Sequence, residues 1–329
     1  MTLGEFLAEW NNADDSVLVH TSGSTGRPKP LRVEKRRMEA SARITCRFLD
    51  VKQGDTALLC LPLGYIAGKM MVVRALTCGL RLVSVEPSSH PLANPLPPTS
   101  GIDFAAMIPM QVKCSLQVPE ERSQLMAIRH LIIGGGAVDD ELAEALKDFP
   151  HAVWSTYGMT ETLSHIALRR LNGPERSQWY TPFEGVTLSV NTEDCLVIDA
   201  PAVCAQPLVT NDVAELRADG RFRIRGRRDN VVCSGGVKIQ MEEVERLLQP
   251  HVRVPFIITK APDALLGEQV VMIVEVCGME KERCLEELHR ICATQLPKFW
   301  QPRRIVAVDR LPLTATGKPA RAAAQALVR

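Results

Sequence analysis

The chain has 329 residues, 46% hydrophobic and 23% charged, which is enough to bury one large core or two ordinary ones and excludes a disordered or fibrous protein. Lysine and arginine number 39 against 38 acidic residues, a formal net charge of +1, so no overall field draws nucleic acid or an anionic membrane, and an anionic ligand has to be held locally. At about 100–200 residues per domain the length favours two domains.

The opening MTLGEFLAEWNNADDS is acidic and lacks a long apolar run, which argues against a secretory signal peptide and predicts a cytoplasmic protein. Short apolar runs then alternate with segments of helical spacing. SVLVH (16–20), ALLCL (57–61), LRLVSV (80–85), FAAMI (104–108) and HLIIGG (130–135) read as strands, and 34–49, 67–78 and 139–148 as helices. The alternation predicts an α/β domain with parallel sheet layers. The apolar stretch from Thr56 to Val85 is interrupted by Lys69, Arg74 and Arg81, so it is too short in uncharged residues to insert in a membrane. The proline-rich SSHPLANPLPPTSG (88–101) reads as an irregular surface loop.

After about residue 180 short strands follow in quick succession (GVTLSV, CLVIDA, DVAELR, RFRIRG), with the turn signal Asp219-Gly220 before the last. This predicts a small antiparallel region. From Gly226 a charged, glycine-containing stretch leads into QMEEVERLLQ, VPFIITKAP, QVVMIVEV and a helix at about 280–296, a compact α+β unit. The ten cysteines form no CxxC pair and have mostly apolar neighbours, as expected of core thiols in a reducing compartment.

The most informative segment is HTSGSTGRPKP at 20–30, directly after a predicted strand. Its glycines let backbone N–H groups approach an anion, its hydroxyls donate further hydrogen bonds and Lys29 adds a point charge, a composition suited to polyphosphate. It is not a P-loop, because Gly23 to Gly26 is too short a spacing and no GK follows. Alone, Gly-Ser-Thr after a strand is an ordinary turn.

This string resembles the signature loop of the adenylate-forming superfamily of acyl-CoA synthetases, luciferases and peptide-synthetase adenylation domains. Further motifs of that superfamily follow in order: GGGA (134–137), YGMTET (157–162), TND (210–212), GRRDNVVCSGGVKI (226–239) and LTATGK (313–318). The resemblance implies an adenylation core at 1–225, a hinge at 226–229 and a mobile carboxy-terminal lid at 230–329. It implies ATP, Mg2+ and coenzyme A as cosubstrates and cofactor. Ser22, Gly23, Ser24, Thr25, Gly26 and Lys29 would hold the β- and γ-phosphates. Thr160 would contact the α-phosphate, and Glu161 would ligate magnesium, a hard carboxylate for a hard cation. Tyr157 and Gly158 would lie against the adenine, with Gly135, Gly136 and Ala137 as a backbone wall. Asp212 would take both ribose hydroxyls, and Arg227 would stand near the ribose and phosphate. Asp229 would be the pivot, Gly235 and Gly236 would face the thiol tunnel, and Lys318 would enter the site for adenylation. Alone, a lysine in a TGK turn would be a solvated surface charge.

Two departures stand out. Members of the superfamily commonly exceed this length, the deficit falling before the phosphate loop, so an amino-terminal subdomain truncated relative to the family is expected. The gate motif, usually of the form PLFHxxG, here reads Pro62-Leu63-Gly64-Tyr65-Ile66-Ala67-Gly68 without its histidine. The short chain, YGMTETLSHIALRR and DCLVIDAP look most like the compact o-succinylbenzoate–CoA ligases of menaquinone synthesis. That resemblance implies a dicarboxylate substrate whose second carboxylate needs an anchor, for which Ser164, His165, Lys69 and Arg74 are candidates. Lys69 and Arg74 equally suit snorkelling helix cations, and His165 a structural histidine. Alternatives are a ligase for another aryl or short acyl acid, or a nucleotide-binding paralogue that has lost thioester formation. The expected partner is a small carboxylic acid, with the oligomeric state, a homo-oligomer included, left open.

Overall fold

The computed structural model describes residues 1–20, 30–93, 101–276, 281–314 and 319–328. Helix α1 (Leu3–Trp10) opens on a capping box, in which the Thr2 hydroxyl accepts from the Glu5 amide and the Glu5 carboxylate accepts from that of Thr2. Strands β1 (Ser16–His20) and β2 (Pro30–Glu34) then pair antiparallel as a two-stranded ribbon. This corrects the expectation that SVLVH joins the parallel sheet. With His20 opposite Pro30, the residues on either side of 21–29 are held side by side.

Helix α2 (Lys35–Leu49) buries a stripe at helical spacing, Met38, Ala42, Thr45, Cys46 and Leu49, and ends at Asp50 in the left-handed region (φ 57°). Next come β3 (Thr56–Leu59), α3 (Ile66–Cys78), β4 (Arg81–Ser84) and β5 (Phe104–Met107). Two helices that the sequence pattern did not announce follow, α4 (Pro109–Leu116) and α5 (Pro119–Ala127). Each starts on a proline, whose missing N–H is no loss in a first turn. Then come β6 (His130–Ile133), α6 (Asp140–Leu146), β7 (Ala152–Gly158), β8 (His165–Arg170) and β9 (Thr181–Pro182).

Seven of these strands form one sheet in the order β4-β3-β5-β6-β7-β8-β9, parallel from β4 to β7 and antiparallel beyond. Every residue of β3 and β5 is buried, as expected of parallel strands covered on both faces. The loops leaving the carboxyl ends of β3, β6 and β7 carry the gate segment, the glycine run and YGMTET, so three motifs far apart in sequence meet at one sheet edge, where open α/β sheets bind ligands.

Strands β10 (Thr187–Val190), β11 (Cys195–Asp199), β12 (Leu208–Leu216) and β13 (Phe222–Arg227) form the expected antiparallel sheet, with Gly220 (φ 80°) in the last turn. A second mixed sheet contains β14 (Val231–Ser234), β15 (Val237–Gln240), β16 (Phe256–Asp263), β17 (Gly267–Glu275) and β18 (Arg304–Val308), accompanied by α7 (Met241–Leu248), α8 (Lys281–Gln295) and α9 (Arg321–Ala326). Along β17, Val270, Met272 and Val274 pack with α7 and α8, whereas Val271 and Ile273 pack with Ala324 of α9. The first core runs from Phe6 to Phe222 and the next begins at Val232; no buried residue is shared. No helix among the described residues is long and apolar enough to cross a membrane.

Gly68 sets how closely α3 approaches the end of β3. A Cβ there would lie 2.5 Å from the Pro62 carbonyl oxygen and 2.8 Å from that of Leu61, backbone atoms with little freedom to retreat. We expect Gly68→Ala to destabilise the protein by about 1–3 kcal/mol, read as a lowered denaturant midpoint.

Candidate active site

The glycine run enters the site in conformations and spaces that a side chain would block. Gly135 is left-handed (φ 77°) with Ile108 3.1 Å from where its Cβ would be, and Gly136 faces Pro109. A Cβ on Gly158 would stand 2.3 Å from the Ser164 carbonyl oxygen, which keeps the end of β7 against the start of β8. Between them, Thr160 is buried in a single 3-10 turn, Glu161 is exposed, and Leu163 is held left-handed (φ 63°) although buried. Such strain in a branched residue persists where surrounding packing fixes it, a recurrent property of binding sites. The Glu161 carboxylate makes no hydrogen bond or ion pair among the described residues and is open to a cation.

Asp212 on β12 faces Arg227 on β13 in register. One Asp212 oxygen accepts from the Tyr157 hydroxyl (2.7 Å), the other from an Arg227 amino group (2.9 Å). The second Arg227 amino group reaches Asp229 (2.9 Å), whose carboxylate also accepts from Asn211 (3.1 Å). Gln240 donates to the Arg227 carbonyl (2.8 Å). Tyr157, Asp212, Arg227 and Asp229, named from three separate motifs, thus form one chain of contacts. The Tyr157 ring packs edge-on against Phe222 (5.1 Å) and near Tyr180 (5.9 Å). Burial first, then the Asp212 charge, pushes its phenol well above the ordinary range, so it remains a donor.

The four substrate-anchor candidates divide. An Arg74 amino group donates to the Ser164 hydroxyl (2.6 Å), which lies 3.2 Å from His165 Nδ1, and His165 Nε2 meets the Thr45 hydroxyl at 3.1 Å. Lys69 does not join them. Five residues earlier on α3, it points about 140° away, where its ammonium bonds the Leu18 carbonyl (2.8 Å) and Glu9 (3.2 Å) beneath the Phe6 ring. It holds β1 just ahead of residues 21–29. Thr45 was missed because a threonine in the apolar stripe of α2 carries no signal that distinguishes it from core.

Arg74 is 2% exposed and has no carboxylate partner among the described residues. Its contacts are Ser164, the Met71 sulfur and the Phe104 ring, and its Nε has no partner. Burial pulls the guanidinium pKa down to about 10. An uncompensated buried cation is costly and is usually found where a ligand supplies the missing charge. On another side of His165 a small cavity between Ser41, Phe183 and Val203 holds about 10 Å3, room for one water.

Ser22, Gly23, Ser24, Thr25, Gly26, Lys29 and Lys318 lie outside the described residues. Leu313 and Pro319, which flank the TGK segment, pair in an isolated bridge, and Arg321 is bidentate to Glu245 of α7 (2.7 and 2.8 Å). Gly235 (φ 56°) and Gly236 (φ 82°) turn β14 into β15, away from the Tyr157–Asp229 chain of contacts.

Residues 5–207 match the model of the AMP-binding enzyme family, and residues 243–318 that of the AMP-binding enzyme C-terminal domain. A 2-succinylbenzoate–CoA ligase of Bacillus cytotoxicus is 24% identical over 94% of this chain and 69% of its own length. The solved structure of an acyl-CoA synthetase (AMP-forming)/AMP-acid ligase II-like protein from Dyadobacter fermentans is 34% identical, with 97% of this chain and 91% of that one covered and a TM-score of 0.65. The o-succinylbenzoate CoA synthetase of Bacillus subtilis, solved with its OSB-AMP acyl-adenylate, shares the fold at 23% identity, with 93% and 68% covered and a TM-score of 0.76.

Tyr157→Phe deletes a hydrogen bond to a charged, half-buried acceptor and should cost about 2 kcal/mol of stability in chemical denaturation. A second expectation concerns pH. Burial, then the Arg74 charge, holds His165 neutral with its pKa well below the ordinary imidazole value. The unfolded chain binds that proton at about pH 6.5, so the stabilisation is complete above that pH and is lost as pH falls toward the folded pKa, by up to about 1.4 kcal/mol per unit. Burial lowers the His130 pKa too and adds a term of the same sign. His165→Gln should therefore flatten, without abolishing, the acid limb of a melting-temperature profile between about pH 7 and 5; an unchanged limb would contradict the buried neutral histidine.

Proposed function

The chain belongs to the AMP-binding enzyme family, and we propose that it is an ATP-dependent acid–CoA ligase acting on a dicarboxylate, 2-succinylbenzoate. The family match and the Tyr157–Asp212–Arg227 arrangement support adenylation. The observation that carries the choice of acid is Arg74, a buried guanidinium short of a countercharge, with Ser164 beside it. A second carboxylate would supply both the charge and the missing acceptor. Curated relatives named 2-succinylbenzoate–CoA ligase point the same way.

In the first half-reaction an oxygen of the acid attacks the α-phosphorus of ATP, the bond to the bridging oxygen breaks and pyrophosphate leaves. In the second, the coenzyme A thiol loses its proton, its sulfur attacks the acyl carbon, and AMP departs. Charge builds on phosphate oxygens in the first step, so the protein's contribution is mainly placement and electrostatics. Asp212 offers its carboxylate to the ribose hydroxyls while its ion pair with Arg227 orients it. Thr160 presents a hydroxyl toward the α-phosphate, and the backbone at Gly135, Gly136 and Ala137 allows close approach of the flat adenine beside Tyr157. Glu161, a free hard-oxygen donor, suits magnesium, which when bound would neutralise phosphate charge. Residues 21–29 would cradle the β- and γ-phosphates. Lys318 would serve adenylation and Gly235-Gly236 thioester formation, the lid of residues 230–329 turning about Asp229 between them.

The test is pyrophosphate release across a panel of mono- and dicarboxylic acids, with and without coenzyme A. The expected result is release and thioester formation with 2-succinylbenzoate; no release with any acid would overturn the enzyme reading, and release without thioester the ligase reading. In Arg74→Met the KM for the acid should rise about tenfold or more with the KM for ATP unchanged. The melting temperature should rise as well, because an uncompensated buried charge has been removed. An arginine kept for structure alone would give a fall in melting temperature and no selective change in KM.

A further inference from the structure

A second concave site lies at the opposite end of β7 from the YGMTET turn. Its volume is about 370 Å3, within the usual range for small-ligand sites, and Phe48, Trp154 and Trp179 give it aromatic walls. Trp154 and Gly158 are four residues apart on one strand, about 13 Å at the rise of an extended chain, so this cleft is separate from the candidate active site.

Its polar groups are mostly donors, and several have nothing to donate to. Arg170, stacked over the Trp154 ring at 5.0 Å, gives its Nε to Asn172 and one amino group to Glu175 at 3.5 Å, a partner that is 73% exposed. Its other amino group has no partner among the described residues. Arg221 uses Nε and one amino group on Asp219, leaving the second amino group free among those residues. The Ser177 hydroxyl accepts from the Trp179 amide but donates to no described group, and the Thr181 hydroxyl has no described partner. Four donors therefore line one cleft with aromatic walls, and a carboxylate offers about four lone-pair sites on two oxygens. The one carboxylate among the residues lining the cleft, Glu175, is exposed and free to swing aside. Arg217 and Arg223 also lie against the Trp179 ring, at 5.1 and 4.8 Å, and are ion-paired with Asp219 and Glu215.

We propose that the cleft between Trp154 and Trp179 is a second ligand site that binds a small aromatic carboxylate, its ring between the indoles and its carboxylate on Arg170 and Arg221. The site is independent of the acid pocket at Arg74, and it stands whether or not the chain is a ligase for 2-succinylbenzoate.

The probe is 1-naphthoate, titrated into the full chain by calorimetry and by quenching of the fluorescence of Trp154 and Trp179. To separate the two sites the titration is repeated in Arg74→Met. Saturable binding should persist in that variant and weaken about tenfold or more in Arg170→Met and in the exposed-position variant Arg221→Met. Thr181→Val should weaken it severalfold, and the neutral 1-naphthamide should bind at least tenfold less tightly than the acid. No saturable binding, equal binding of the amide, or binding lost in Arg74→Met and untouched by Arg170→Met and Arg221→Met would each overturn the proposal.

Discussion

Two cations buried on one helix constrain much of the molecule. Helix α3 is enclosed along Gly68–Ala75, yet it carries Lys69 and Arg74 at 2% exposure each. Charges taken out of water must find partners. For Lys69 the partners are Glu9 and the Leu18 carbonyl, and satisfying it draws α1 and β1 onto α3, which places the strand leading into residues 21–29. For Arg74 the partners fall short, and Ser164 and the Phe104 ring do not replace a carboxylate. One helix thus anchors β1 with one cation and leaves the other without a carboxylate partner among the described residues, and the five-residue spacing points them about 140° apart.

The second organising contact is the Asp212–Arg227 pair. The turn at Gly220 pairs β12 with β13, and a register shift between Val213 and Ala214 moves the pairing by one residue, so that the Asp212 carboxylate and the Arg227 guanidinium are opposite each other before any ligand arrives. Tyr157 brings in the large parallel sheet, and Asp229 and Gln240 bring in the start of the following unit. A nucleotide that engages Asp212 would therefore act on the group whose neighbour is the proposed pivot. Tyr157, Asp212 and Arg227 lie in one network because the end of β7 packs against β12 and β13, at the Tyr157–Phe222 ring contact.

Much of this was legible beforehand for identifiable reasons. The strands β3, β5 and β6 are short, mostly apolar runs (TALL, FAAM and HLII), and parallel strands buried on both faces leave that pattern. The hairpin at Asp219-Gly220 was legible because a left-handed glycine has few substitutes. SVLVH misled, since the same apolar run serves a ribbon as well as a central strand, and its partner Pro30–Glu34 lacks the usual strand composition. Helices α4 and α5 were missed because proline reads as a breaker, although at a first helical position it is favoured.

By itself the sequence determined which residues are chemically equipped: the order of the glycine, hydroxyl and acidic motifs and the absence of a strong net charge. These are local properties of composition and spacing. Whether a charge is matched is not local. That Lys69 is neutralised and Arg74 is not, that His165 is held neutral beside it, and that Arg170 and Arg221 face the same cleft all depend on which elements pack together. Only the tertiary structure decided them, because burial and partner distance set the energy of a charge, and neither is written in the order of residues along the chain.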